Sequence, residues 1–153
     1  MTRAAIAFAL GLMTAALPAW TPLASGVNVT FRGVSTVSDE IAWASGSGST
    51  VLRTDDGGAT WQRVIITPDR VDFRDVDAID ARIAYALSIG NGAASRIYKT
   101  ADGGATWTAQ FLNKDEAVFL DAMTFSDEQH GIVMGDSIGG KFLVMRTDDG
   151  GKN

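Results

Sequence analysis

The chain has 153 residues, a net charge of −5 and no cysteine. The acidic balance argues against nucleic acid or an anionic membrane as the main partner, and the lack of cysteine excludes disulfides and lipid attachment through a thiol. A hydrophobic share of 46%, with 17 glycines and only 3 prolines, excludes a disordered or low-complexity chain and is typical of a globular domain with many tight turns.

The N-terminal segment has the pattern of a secretory signal peptide. Arg3 precedes an apolar stretch, Ala4 to Leu17, and small residues and prolines follow it. This stretch is shorter than the roughly 20 residues of a membrane span, so we expect no stable span after cleavage; an uncleaved anchor or an ordinary apolar strand is the alternative. The sequence therefore predicts a signal peptide over residues 1–24, a linker over 25–30, and a secreted or periplasmic protein of a bacterium.

One motif, Thr-x-Asp-x-Gly-x-Thr-Trp, then recurs along the chain. Its copies begin at Thr54, Thr100 and Thr147, 46 and 47 positions apart, and the third copy reaches Asn153 before its Trp. A period in this range indicates a repeat architecture.

The composition of the motif predicts a clip between two strands. The Asp can accept hydrogen bonds from its own turn, the glycines supply positive φ, and the Trp brings a large apolar surface to bury. The residues predicted to have this structural role are Thr54, Asp56, Gly58, Thr60, Trp61, Thr100, Asp102, Gly104, Thr106, Trp107, Thr147, Asp149 and Gly151.

The segments around the motif repeat too. Each unit reads as strand, polar turn, strand, loop, strand, motif, strand, starting at Phe31, Phe73 or Phe119. Short strands rich in Val, Ile and aromatic residues, separated by Gly and Asp turns, indicate an all-β protein. Four antiparallel strands per unit form the blade of a β-propeller. The predicted blades are residues 31–72, 73–118 and a truncated 119–153.

The number of units predicts an incomplete propeller. A closed propeller has about four to eight blades, whereas this chain carries two complete units and most of a third. We therefore expect a fragment of a longer protein with open sheet edges. An intermolecular assembly that completes the ring is the alternative.

The motif resembles the Asp box, or BNR repeat, of sialidases, sortilin-type receptors, some glycoside hydrolases and the photosystem II assembly and stability factor-like family. The order of turn, Ala-Trp-Ala-Ser-Gly strand and Asp box in Val34–Trp61 is most similar to the last of these, and the similarity extends over about residues 31–153. This resemblance implies an exported, non-enzymatic interaction protein without a cofactor, whose partner is a protein or a carbohydrate. The family's photosynthetic partner is not carried over, since no marked arginine cluster identifies it.

Two other functions fit an Asp-box propeller. A sialidase-like enzyme needs an arginine triad, a Tyr nucleophile and acid partners, whereas another Asp-box glycoside hydrolase needs two facing acids. Tyr85 and Tyr98 have the positions of packing residues, so the catalytic residues of a hydrolase would lie mostly beyond this sequence. A sortilin-like receptor is the third possibility, and the lack of cysteine weighs against it. Partner, blade number and oligomeric state are not fixed by the sequence.

The repeated polar residues have structural explanations, and we assign no catalytic, cofactor or metal residue. Arg53, Lys99 and Arg146 precede the three Asp boxes and are interpreted as solvated strand residues. The adjacent acids of the boxes lack the ligand spacing of a calcium loop. His130, the single histidine, is interpreted as an exposed turn residue.

A binding surface is expected where the units differ. The loops between second and third strands, Gly90–Ser95 and a longer Asp136–Lys141, should emerge opposite the Asp boxes, together with the links Thr67–Asp72 and Asn113–Glu116. The candidate binding residues on these segments are Asp69, Arg70, Asn91, Lys114, Glu116, Asp136 and Lys141.

Overall fold

The computed structural model of the protein describes residues 20–152. The predicted signal peptide falls mainly on residues 1–19, which lie outside the described residues; residues 20–24 carry no helix or strand. Within the described part of the chain, no helix has the length and apolar character needed to cross a membrane.

The described chain forms three antiparallel sheets, and the only helix among residues 20–152 is one 3-10 turn, Gly92–Ala94. The first sheet contains β1 (Phe31–Thr36), β2 (Ala42–Gly46), β3 (Thr50–Thr54) and β4 (Gln62–Val64). The second contains β5 (Asp72–Ala78), β6 (Ala84–Ile89), β7 (Arg96–Thr100) and β8 (Thr108–Leu112). The third contains β9 (Leu120–Phe125), β10 (Gly131–Ile138) and β11 (Lys141–Thr147). The predicted all-β, propeller-type architecture is confirmed.

In each sheet, a short polar side chain closes the turn between the first two strands. Ser38 Oγ accepts hydrogen bonds from the backbone N–H groups of the second and third residues after it. Asp80 Oδ1 and Asp127 Oδ1 do the same in the second and third sheets. Such side-chain turns explain why polar residues interrupt the apolar strands at this point.

The sheets stack side by side through two apolar clusters. The cluster between the first and second sheets consists of Trp43, Val51, Phe73, Val76, Ala84, Ala86 and Tyr98. The cluster between the second and third sheets consists of Tyr85, Leu87, Ile97, Val118, Leu120, Met123 and Val133. Because β6 supplies residues to both clusters, the second sheet is buried on both faces.

Polar contacts join the first strands of neighbouring sheets. Ser35 Oγ on β1 accepts a hydrogen bond from the backbone N–H of Ala78 at 3.0 Å. Between β5 and β9, Asp75 Oδ2 accepts from the N–H of Met123 at 2.8 Å and Asp77 Oδ2 from that of Phe125 at 2.6 Å. β1, β5 and β9 therefore form the side along which the three sheets converge.

The prediction of a long loop over Asp136–Lys141 is wrong. β10 continues to Ile138 and β11 starts at Lys141. Gly139 and Gly140 make the turn alone, at φ values of 58° and 76°. Two successive positive φ values produce a tight two-residue hairpin, so the strands extend through the expected loop.

Candidate functional site

The Asp box of the first sheet is a closed set of hydrogen bonds. Thr54 Oγ1 donates to Asp56 Oδ1 at 2.7 Å and accepts from the backbone N–H of Gly58 at 2.9 Å. Asp56 also accepts from the N–H and the hydroxyl of Thr60, at 2.9 and 2.6 Å. The side chains of the motif therefore bond to one another and to their own backbone.

The second box has the same arrangement, and the third shares the bonds of its first Thr. In the second, Thr100 Oγ1 donates to Asp102 Oδ1 at 2.8 Å, and Thr106 donates to Asp102 through both its N–H and its hydroxyl. In the third, Thr147 Oγ1 donates to Asp149 Oδ1 at 2.9 Å and accepts from the N–H of Gly151 at 2.7 Å.

These bonds also set the charge state of the box. Hydrogen bonds from the Thr60 side chain, the Thr60 N–H and the Thr54 side chain lower the pKa of Asp56 to about 2. The equivalent donors lower the pKa of Asp102 to about 2. Because bonds to the ionised form stabilise it, both carboxylates are charged at neutral pH and engaged in their turns.

The boxes lie at the same end of the sheets as the first turns. The N–H groups of Gly57, Gly103 and Gly150 donate to carbonyl oxygens in the first turns of their own sheets, at 2.9, 2.9 and 2.8 Å. The starts of β1, β5 and β9 lie at the other end, since Phe31 pairs with Gly46 and Asp72 with Ile89.

The expectation of solvated basic residues before the boxes is wrong for two of the three. Arg53 pairs across the strands with Trp43 and Lys99 with Tyr85, and each cation lies over its partner's ring at 5.6 and 5.3 Å. Their side chains are only 17% and 14% exposed, whereas that of Arg146 is 75% exposed. A cation over an aromatic face gains electrostatic attraction while its aliphatic part is buried.

The seven candidate binding residues fall on three separate places. Asp69 forms an ion pair with Arg96 at 2.5 Å, and Asn91 Nδ2 donates to the carbonyl oxygen of Glu116 at 3.2 Å. All seven residues are exposed. Asp136 and Lys141 belong to the hairpin of the third sheet, whereas Asp69 and Arg70 lie on the first link, Lys114 and Glu116 on the second, and Asn91 on the β6–β7 loop that contacts the second link.

Sequence reasoning missed the residue that orders the link between the second and third sheets. Asn113 is 4% exposed, and its amide nitrogen donates to the carbonyl oxygens of Gly92, Asp115 and Val118 at 3.2, 3.0 and 3.2 Å. A lone Asn directly after an apolar strand was the available signal. Its bonds hold the loop that carries Asn91 against the link.

The structure also brings together a polar cleft of about 420 Å³ that sequence reasoning missed. It lies at the starts of β1, β5 and β9, on the end opposite the Asp boxes. Its lining residues are Arg32, Arg74, Asp75, Asp121 and Ala122. The sequence carries one signal for this cleft, which is a difference between the units. Arg32 and Arg74 occupy equivalent positions in the first two units, and Leu120 occupies that position in the third.

The charged groups of the cleft differ in how firmly they are held. Arg74 Nη2 lies 3.0 Å from Asp121 Oδ1, and its Nε donates to the Asp121 carbonyl oxygen at 3.2 Å. Arg32 has a longer contact of 3.5 Å with Asp72 Oδ2. Arg32 is therefore the less firmly held cation.

Asp75 is engaged in structure. Its two carboxylate oxygens accept from the N–H groups of Val76 and Met123, at 2.9 and 2.8 Å. Burial raises the pKa of Asp75 and outweighs these two hydrogen bonds. Within residues 20–152, no group of three or more His, Cys, Asp or Glu side chains is placed to hold a metal ion.

Comparison with solved structures shows the same fold in known proteins. A structure described as YCF48 bound to D1 peptide superposes with a TM-score of 0.65 at 22% identity, over 82% of this chain and 39% of that one. YCF48 from Cyanidioschyzon merolae superposes with a TM-score of 0.66 at 19% identity, over 86% of this chain and 37% of that one. This chain thus spans about two-fifths of the length of these relatives.

Comparison with curated proteins gave no match. The family model described as photosynthesis system II assembly factor YCF48 matches residues 19–118, which include the first two sheets and their Asp boxes. This match confirms the resemblance expected from the repeats. The chain belongs to the family of photosynthesis system II assembly factor YCF48.

Proposed function

We propose that this chain is a non-enzymatic scaffold that acts outside the cytoplasm and binds an extended segment of another protein. The binding site is the polar cleft lined by Arg32, Arg74, Asp75, Asp121 and Ala122. One observation carries this proposal. Side chains of the cleft already bond to backbone groups of a neighbouring strand.

The backbone of β9 shows how side chains of this cleft bond an extended strand. Arg74 donates to a backbone carbonyl oxygen of β9, that of Asp121. Asp75 accepts from a backbone N–H of the same strand, that of Met123. A bound extended peptide offers the same two groups along its length, and Arg32, with its weaker ion pair, is placed to bond its carbonyl or carboxylate oxygens.

A peptide partner also agrees with what is known of one relative. The YCF48 in one of the solved structures is bound to a D1 peptide. We extend to this chain only the class of partner, a protein segment. The fit of the cleft to extended backbone supports a protein in preference to a carbohydrate.

The hydrogen bonds and the ion pair of the two acids in the cleft favour binding over hydrolysis. Apart from sialidase-type enzymes with a Tyr nucleophile, a glycosidase of this class needs two carboxyl groups that face the substrate, one to protonate the leaving group and one to act as nucleophile or base. In this cleft Asp75 accepts two backbone N–H groups and Asp121 is paired with Arg74. These contacts support a structural role for both acids.

The proposed location rests on the leader-like sequence of residues 1–24. Fusing this segment to alkaline phosphatase without its own leader should give activity in the periplasm of a bacterial host. Replacing an alanine near the centre of the apolar stretch by arginine, as in Ala9→Arg, should abolish that activity. Equal activity of both fusions would contradict export through this segment.

Binding can be tested with the purified protein and a library of fluorescent, extended peptides of mixed charge. We expect selected peptides to bind, and Arg32→Ala to weaken their affinity about tenfold through loss of a charged hydrogen bond. The matched control is Arg82→Ala, since Arg82 is exposed in the first turn of the second sheet, at the end opposite the cleft. Equal affinity of both variants, or turnover of fluorogenic sialosides or glucosides by the protein, would contradict the proposal.

A further inference from the structure

A buried serine holds the chain at the point where it enters the third sheet. Ser95 directly precedes β7 and is fully buried. Its Oγ accepts a hydrogen bond from the N–H of Leu120, the first residue of β9, at 3.2 Å, and donates to the carbonyl oxygen of Gly90 at 2.6 Å. Because both partners of this hydroxyl are satisfied in a buried place, the bond fixes where β9 begins relative to the second sheet.

The residue after Leu120 holds an arginine of the polar cleft. Asp121 accepts from Arg74 Nε through its carbonyl oxygen at 3.2 Å, and its Oδ1 lies 3.0 Å from Arg74 Nη2. A guanidinium has five N–H donors in one plane, and the Arg74 side chain remains 40% exposed. Arg74 therefore keeps donors free for a ligand of the cleft, in an orientation that Asp121 sets.

The first link of the chain repeats this arrangement. Ser49 directly precedes β3, as Ser95 precedes β7, and its Oγ accepts from the N–H of Val71 at 3.1 Å. The next residue, Asp72, lies 3.5 Å from Arg32 Nη2. Each arginine of the cleft is thus paired with an acid that directly follows a residue held by a serine. Ser49 is only partly buried, and the ion pair of Arg32 is the longer one.

We propose that Ser95 is a positioning residue for the peptide-binding cleft, because it sets the place of Asp121 and thereby the orientation of Arg74. This inference rests on the function proposed above. Removing the Ser95 hydroxyl leaves the Leu120 N–H without its acceptor, so the start of β9 shifts and Asp121 moves with it. An incoming peptide then has to order Arg74 itself, and the cost of that ordering lowers the affinity.

The first test is a double-mutant cycle on peptide affinity. With the fluorescent peptides that bind the native chain, Ser95→Ala should weaken binding about three- to tenfold, the cost of ordering one long side chain. In the Arg74→Ala background, the same substitution should have no further effect, because Ser95 acts through that guanidinium. A merely structural role of Ser95 would weaken binding by the same factor in both backgrounds.

Two further variants serve as matched controls. Thr100→Val removes another buried hydroxyl of the second sheet, at the end opposite the cleft, and should leave the affinity unchanged. Ser49→Gly removes the hydroxyl that holds the first link, and glycine suits the φ of 56° at this position. Its effect should persist in the Arg74→Ala background, since Ser49 acts on the side of Arg32. Circular dichroism verifies that each variant folds.

The second test needs no peptide. The Nε–H signal of Arg74 in nuclear magnetic resonance spectra is identified by its loss in Arg74→Lys. Its exchange with solvent should become at least about tenfold faster in Ser95→Ala, because the bond to Asp121 opens more often, and should not change in Thr100→Val. Absence of any peptide binding would overturn the proposed function, while this signal still decides whether Ser95 orients Arg74. Unchanged exchange in Ser95→Ala, or equal affinity losses in both backgrounds of the cycle, would overturn the positioning role and leave the proposed function intact.

Discussion

Trp43 of the first sheet and Trp107 of the second meet edge to face, with ring centroids 5.8 Å apart and planes at 90°. Trp43 is fully buried, while Trp107 is half-buried and donates its Nε1–H to the carbonyl oxygen of Gly104 at 3.2 Å. The contact joins the Asp box of the second sheet to the face of the first sheet that it covers. The motif therefore closes its own turn and also packs adjacent sheets together.

This geometry predicts unequal costs for removing the two rings. Trp43→Ala should lower the free energy of unfolding by about 3–5 kcal/mol, because a fully buried ring leaves a large cavity. Trp107→Ala should lower this free energy less, by about 2 kcal/mol. The ring of Trp107 is only partly buried, so the variant loses that partial burial and one aromatic pair. Urea unfolding followed by circular dichroism gives both values. A larger loss for Trp107→Ala than for Trp43→Ala would contradict this account of the contact.

A second prediction concerns Gly104, which packs against the ring of Trp43. Gly104 has a φ of 94°, and an added Cβ would lie 2.8 Å from Trp43 Cη2 and 3.3 Å from Val64 Cγ1. Gly104→Ala should therefore lower stability by more than about 1 kcal/mol, through both backbone strain and the displaced indole. Gly139→Asn is the control, because Gly139 has a φ of 58° and open space around it. Equal losses in thermal unfolding for the two variants would count against the close packing.

The repeats allowed the sheets and the boxes to be predicted from sequence because their interactions are local. The Thr, Asp and Gly of a box bond to residues within a few positions, so the pattern alone specifies the turn. At Gly139–Gly140 the sequence predicts a long loop, because polar residues and glycines are typical of loops as well as of hairpin turns. Only the pairing of β10 with β11 shows that the strands continue.

The interactions between units could not be predicted in the same way. The sequence predicts that Arg53 and Lys99 lie in solvent. Their burial depends on the aromatic residue opposite each of them on the neighbouring strand and on the adjacent sheet, which a local pattern does not reveal. The polar cleft draws its residues from the first strands of three units. Arg32, Arg74 and Asp121 lie more than forty positions apart in sequence, and no local pattern places them side by side.

The buried hydroxyl of the second Asp box yields a prediction of its own. Thr100 is 1% exposed, donates to Asp102 Oδ1 and accepts from the N–H of Gly104. Thr100→Val keeps the shape but leaves the Gly104 N–H without its acceptor, so stability should fall by about 1–3 kcal/mol. Thr108→Val, at an exposed position of β8, should change it by less than about 0.5 kcal/mol. Similar urea midpoints for the two variants would argue against the closed hydrogen-bond set.

The boxes also predict how stability depends on pH. The folded protein holds the pKa of Asp56 and Asp102 at about 2, below the ordinary value of 3.8, so the unfolded chain binds protons more readily than the folded one. The stability that these carboxylates contribute is therefore fully present above about pH 5, falls below about pH 4, and is lost as the pH drops through about 2. Asp102→Asn removes one of the two groups. Urea midpoints measured between pH 6 and pH 2 should therefore fall less steeply for this variant than for the native chain, and less steeply again when Asp56→Asn is added. Parallel curves for all three proteins would show that the carboxylates do not gain their hydrogen bonds on folding.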